Sequence, residues 1–130
     1  MEKELHYKLR LFIKGEDEEN AFGPGIADLM RGVDRYGSLL KAAESMHMAY
    51  SKAWKIIHKV EESLGFQLIF RQVGRGCGST ITAEGRKFLE AYDSFIAEIS
   101  SATQESFQKN FAEFIEMSRN IHKINEVKNK

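Results

Sequence analysis

The stretch from Gly37 to Gly78 constrains the fold of this 130-residue chain most, because its turn residues divide it into short pieces in a fixed order. Upstream, Ile26, Leu29, Met30 and Val33 recur at helical spacing and predict a first helix from about Gly25 to Tyr36. Gly37 ends it, and Ser38 is a favoured N-cap for a short second helix with apolar positions Leu39, Leu40, Ala42, Ala43 and Met46. A third helix begins near Ala49 or Tyr50 and runs to Leu64, where Gly65 stops it. Its inner face is Ala53, Trp54, Ile57, Val60 and Leu64; its outer face carries Tyr50, Ser51, Lys52, Lys55 and Lys59. Phe66 to Arg71 and Ser79 to Ile81 are strand-like, joined through Gln72-Val73 and the loop Gly74-Arg75-Gly76-Cys77-Gly78. This order predicts a helix-turn-helix followed by a wing, a geometry that lays the helix after the turn in the major groove of DNA.

The flanks supply two further elements. Leu5, Tyr7, Leu9, Leu11 and Ile13 alternate with more polar neighbours, predicting a strand over Leu5–Ile13 with one buried face. Gly15-Glu16-Asp17-Glu18-Glu19-Asn20 and Gly23-Pro24-Gly25 form a polar loop whose acids lack the glycine and ligand spacing of a calcium loop. Thr82 caps a last helix of about 35–40 residues from Ala83, which at ~1.5 Å per residue exceeds about 50 Å. Phe88, Tyr92, Phe95, Ile99 and Ala102 form one apolar run along it; Phe107, Phe111, Phe114, Ser118 and Ile121 form another after a shift. A helix of that length needs a second surface, and the same helix of another subunit provides one. Asn125 to Lys130 reads as a frayed tail. The expected fold class is therefore mainly α with a small β component. Residues 1–82 form the strand and winged helix-turn-helix, and residues 83–130 form the dimerisation helix and tail.

Formal net charge is zero, so a uniformly basic coat is excluded, but the distribution is uneven. Residues 1–40 hold six Lys/Arg against eight Asp/Glu, residues 41–87 eight against four, and residues 88–130 five against seven. The positive excess lies on the segment that meets phosphates in the predicted geometry. No apolar run approaches the roughly 18–20 residues of a membrane span. Met1-Glu2-Lys3-Glu4 is not a signal-peptide start, and a lone Cys77 forms no internal disulfide, which together place the chain in the cytoplasm. Cys77, with Arg75 nearby but no resolving partner, reads as an inert thiol. His6, His47, His58 and His122 lack metal spacing, so neither a metal site nor a cofactor is expected. Gly74, Gly76 and Gly78 have the wrong spacing for a dinucleotide loop, and a strand follows them where a helix is required. Trp54 reads as a core anchor, and no nucleophile–base or carboxylate pair proposes an enzyme.

The run Gly37-Ser38, Ala42-Ala43, Tyr50-Ser51-Lys52-Ala53-Trp54, Leu64-Gly65, Leu68 and Arg71 resembles the N-terminal DNA-binding domain of the ModE family of molybdate-responsive transcriptional regulators. So does Val73-Gly74-Arg75-Gly76-Cys77-Gly78-Ser79 followed by Ile81-Thr82-Ala83-Glu84-Gly85-Arg86. That domain is related to the LysR-type winged helix-turn-helix, and the resemblance covers about residues 26–100. It implies a homodimer built by the N-terminal strand and the long helix. Three positions depart from the family pattern. Ala49 stands where a serine cap is usual, at a cost of about 1 kcal/mol of helix stability. His47 stands where glycine is usual and has to tolerate a left-handed or strained backbone. Cys77 and Ser79 interrupt a more uniform glycine wing. The chain ends before the family's molybdate-binding domains, so molybdate is not carried over as a ligand.

These readings converge on a homodimeric regulator that binds double-stranded DNA, pairing through the Leu5–Ile13 strand and the Phe88–Ile121 helix. Tyr50, Ser51, Lys52, Lys55 and Lys59 read the major groove. Ser38 and Lys41 contact the backbone, and Arg71 and Arg75 clamp phosphates or enter the minor groove at the wing. The alternatives are a protein-interaction module without DNA and an oxyanion-responsive regulator; the effector, if any, is not legible.

Overall fold

The computed structural model describes residues 4–16, 19, 21–71 and 78–128. In chain order it comprises α1 (Pro24–Tyr36), α2 (Leu39–Ser45), α3 (Tyr50–Leu64), β1 (Ile69–Arg71), β2 (Ser79–Ile81) and α4 (Ala83–Lys128). This is a mainly helical winged helix-turn-helix with a small antiparallel sheet and a long C-terminal helix.

The helix boundaries follow from local chemistry. Pro24 opens α1, where its missing N–H is no loss, and Gly37 closes it in the left-handed region at φ 72°. The Ser38 hydroxyl accepts the Lys41 N–H at 3.2 Å, capping α2. Ala49 offers α3 no side-chain cap, as its methyl predicts, and Gly65 ends the helix at φ 89°. At the start of α4 the Thr82 hydroxyl accepts the Gly85 N–H at 2.9 Å. It also donates to the Gln67 carbonyl at 2.6 Å, tying the helix start to the approach of β1.

The chain divides into two compact units, one from Arg10 to Asp93 and one joining residues up to Leu9 with those from Ser94 onward. The first unit holds the core. Phe22, Leu29, Met30, Leu39, Ile57 and Leu68 are its largest fully buried side chains. Phe22 lies edge-on to Phe88 and Tyr92, with ring centroids 4.7 and 5.0 Å away. The buried Tyr92 hydroxyl donates to the Leu11 carbonyl at 2.7 Å, and burial pushes its ionisation above the ordinary tyrosine range. Gly32 lets α1 and α2 cross closely, since a Cβ there would stand 2.6 Å from the Ala42 Cβ. In the second unit, the Tyr7 hydroxyl meets the Thr103 hydroxyl at 2.9 Å and the Tyr7 ring packs against Phe107. There Arg119 pairs with Glu4 at 2.8 Å and Ile115 is buried.

Four expectations are corrected. Leu40 is half exposed, because the core side of α2 is filled by Leu39, Ala42 and Ala43. The strand expected over Leu5–Ile13 has no ladder partner among the described residues. Only Ile13 bridges, to Phe22, and Leu5 and Leu9 are exposed. The strand expected from Phe66 starts at Ile69, because Glu61 takes the Leu68 N–H that would complete the pair with Thr82, whose own N–H still donates to the Leu68 carbonyl. The expected frayed tail is helical as far as Lys128.

Candidate nucleic-acid interface

The turn between α2 and α3 is closed by backbone geometry. His47 adopts φ 55°, its N–H donates to the Glu44 carbonyl at 3.0 Å, and the Met48 N–H reaches the Ala43 carbonyl at 2.9 Å. This paired arrangement is the Schellman motif, whose left-handed position glycine normally fills. The turn aims α3 so that Ala53, Ile57 and Val60 face the core while Lys52, Lys55 and Lys59 lie exposed. Spacing of three and four puts these lysines in one stripe. Ser51 is exposed beside it, Tyr50 is half-buried at the helix start, and Lys41 is exposed on α2.

β1 and β2 pair with Ile69 opposite Ile81, Phe70 opposite Thr80 and Arg71 opposite Ser79. This root of the wing is docked twice. The Ser79 N–H donates to the Gly37 carbonyl at 2.9 Å, and a Cβ on Gly78 would collide with that same oxygen, so only glycine permits the approach. On the other side the buried Glu61 carboxylate accepts the Leu68 N–H at 2.6 Å and the Ile69 N–H at 3.2 Å. Its second oxygen lies 3.1 Å from His58 Nδ1. A shallow groove of about 260 Å³ opens between the helices and the wing root, lined by Ser38, Leu40, Tyr50, Arg71 and Gly78.

Two arginines elsewhere in this unit are neutralised by acids. Arg31 pairs with Asp28 and Asp93, and Arg86 pairs with Asp34 at 2.7 Å. The Arg86 hydrogen bond holds the Asp34 carboxyl below its ordinary range, and Asp34 in turn raises Arg86. Among the described residues, Lys41, Lys52, Lys55, Lys59 and Arg71 form no ion pair. An uncompensated cationic stripe on an exposed helix is what a polyanionic partner requires.

The structure leaves Lys41, Ser51, Lys52, Lys55 and Lys59 exposed on the helix-turn-helix and brings Ser38, Tyr50 and Arg71 together at the groove by the wing root. Arg75, with the rest of the loop at 72–77, lies outside the described residues. Trp54 departs from the sequence expectation. It is half-buried rather than a core anchor, edge-on to His58 at 3.8 Å, with the Arg71 guanidinium 5.9 Å from its ring centroid. Glu61 is the site residue that the sequence reading passed over. An acid adjoining Val60 on the inner arc of α3 was the signal available.

Residues 28–86 match the family model of the bacterial regulatory helix-turn-helix protein, lysR family. The match runs from within α1, through the turn, α3 and both wing strands, into the first turn of α4. It identifies this segment as a LysR-type helix-turn-helix and points to a DNA-binding transcription regulator. A search of curated proteins gives no match to the chain. Among the described residues, no helix is long and apolar enough to cross a membrane.

Proposed function

We propose that the chain is a sequence-specific, non-enzymatic transcription regulator that acts in the cytoplasm as a homodimer on a palindromic DNA site. The observation that carries the reading is the stripe of Lys52, Lys55 and Lys59 on the exposed face of α3, unpaired among the described residues and inside the matched helix-turn-helix. Tyr50, Ser51, Lys52, Lys55 and Lys59 are assigned to the major groove. Ser38 and Lys41 are assigned to the backbone beside α2, and Arg71 and Arg75 to phosphates or the minor groove at the wing.

The dimer is supported by apolar surface on α4. Phe114, Met117, Ile121 and Ile124 are each about half exposed, at 52%, 51%, 56% and 55%, and repeat at three-four-three spacing. That is the seam of a coiled coil without its partner. A segment from Leu5 to Phe12 without a ladder partner is the second candidate element of the same interface. Within the LysR-related group the loop sequence and the Ala53-Trp54 pair favour a ModE-like DNA-binding domain. Selection of bound duplexes from a random pool, followed by salt titration on the enriched sequence, tests the function. Enrichment of a palindrome and a steep loss of affinity with salt are expected. Failure to enrich any sequence, with salt-independent retention, refutes it.

A further inference from the structure

Trp54 and His58 are not explained by the core or by the lysine stripe. Trp54 is half-buried on α3, on the side that faces β1. The Arg71 guanidinium carbon lies over its ring, 5.9 Å from the centroid, within the range of cation–π attraction. His58, one turn further along α3, braces the indole edge-on and bonds through Nδ1 to Glu61. Glu61 grips the N–H groups of Leu68 and Ile69, the residues that lead into β1. The contacts close into a ring. From α3, Glu61 holds the start of β1, and β1 carries Arg71 back over Trp54, which His58 and Glu61 support.

From this ring we infer that Trp54 is a positioning residue. It holds Arg71 at the wing root at a fixed distance from the lysine stripe, with its charge directed to a DNA phosphate at the groove of Ser38, Tyr50 and Gly78. Arg71 lines that groove while no carboxylate among the described residues neutralises it. The indole face therefore orients the guanidinium without cancelling its charge, which an acidic partner would do. A planar guanidinium stacks on an aromatic face in a way that an ammonium does not. The inference rests on the DNA-binding reading above for the identity of the phosphate, but not for the contact itself.

The test is a double-mutant cycle on the full chain with a fluorescein-labelled random-sequence duplex at low salt. Arg71→Ala is expected to weaken binding and to lower the salt slope by about one. Trp54→Leu is expected to weaken it about two- to five-fold, the scale of an exposed cation–π contact. In the Arg71→Ala background Trp54→Leu then costs less than about 1.5-fold, because there is no guanidinium left to place. Trp54→Phe recovers most of the loss, and Arg71→Lys keeps the salt slope but loses the coupling. Equal costs for Trp54→Leu with and without Arg71 overturn the inference. Trp54 is the sole tryptophan, so its emission reads the contact without DNA. Arg71→Ala must shift that emission, and an unchanged spectrum overturns the contact even if Trp54→Leu does not fold. Should wild-type protein bind no duplex, the DNA reading fails while the emission arm still decides the contact.

Discussion

Replacing Glu61 should unfasten the wing from α3, and the structure sets the scale. The residue is 7% exposed, and its carboxylate accepts the Leu68 N–H at 2.6 Å and the Ile69 N–H at 3.2 Å. Glu61→Ala leaves both donors without their acceptor. A buried group that loses its partner costs about 1–3 kcal/mol, with charge-assisted bonds at the upper end. The short Leu68 bond belongs near 2 kcal/mol and the longer Ile69 bond near 1 kcal/mol, for a total of about 3 kcal/mol. Glu61→Gln differs because its amide oxygen still accepts both N–H groups and its amide nitrogen faces His58 Nδ1. Only the charge assistance disappears, at about 1 kcal/mol.

For a domain of this size each kcal/mol moves Tm by roughly 4–8 °C, so expected losses are about 12–24 °C for Glu61→Ala and about 4–8 °C for Glu61→Gln. Urea unfolding followed by Trp54 emission measures both variants, and the m-value should stay constant if only the folded state is affected. Two results refute the reasoning. Glu61→Ala within about 1 kcal/mol of wild type would show that these bonds add nothing over water. Equal losses for the two variants would show that charge, not acceptor geometry, holds the strand.

Four further outcomes are expected. His47→Gly removes a left-handed strain of about 1–2 kcal/mol, partly offset by backbone entropy, and should raise Tm by a few degrees; an unchanged or lower Tm in calorimetry contradicts the turn assignment. Phe114→Asp together with Ile121→Asp should convert the proposed dimer to monomer in light scattering, and a dimer that survives both sinks the α4 seam. Lys52→Ala should relax sequence preference in a gel shift, whereas Arg75→Ala should weaken all duplexes alike and flatten the salt dependence. Asp34, whose folded-state carboxyl is held low by Arg86, contributes stability present above the ordinary aspartate range and lost as pH falls through its folded value. The wild-type advantage over Asp34→Asn should therefore shrink toward zero in acid, from a small starting value because both side chains are half exposed. An advantage that grows in acid would reverse the assignment.

Much of the frame was legible because backbone chemistry dictates it locally. Gly37, Ser38, Gly65 and Thr82 mark the same boundaries in the sequence and the structure, since left-handed ends and hydroxyl caps depend on neighbours in the chain. Long-range contacts were not legible. Nothing in the pattern of Leu5–Ile13 says whether its backbone finds a partner in the same chain, and only Ile13 does. Phe66 and Leu68 have strand composition, yet Glu61 takes the Leu68 N–H out of the ladder. The Gly37–Gly78 approach joins residues whose glycines had been read separately, one as a helix stop and the other as loop.

The misplacement of Trp54 has a geometric cause. At about 100° per residue, Ala53, Ile57, Val60 and Leu64 lie within about 60° of one another on α3, while Lys52, Lys55 and Lys59 cluster on the opposite side. Trp54, His58 and Glu61 occupy a third arc, about 100° from the core direction and about 130° from the lysines. A two-sided reading of an amphipathic helix has no place for such an arc, so an indole was assigned to the core and the acid was passed over. Their contacts run to β1 instead. A helix that only packed and bound phosphates would need two faces. One that also fixes a wing needs a third, and an aromatic with an acid two turns on, both at the border of the apolar stripe, is the pattern to seek.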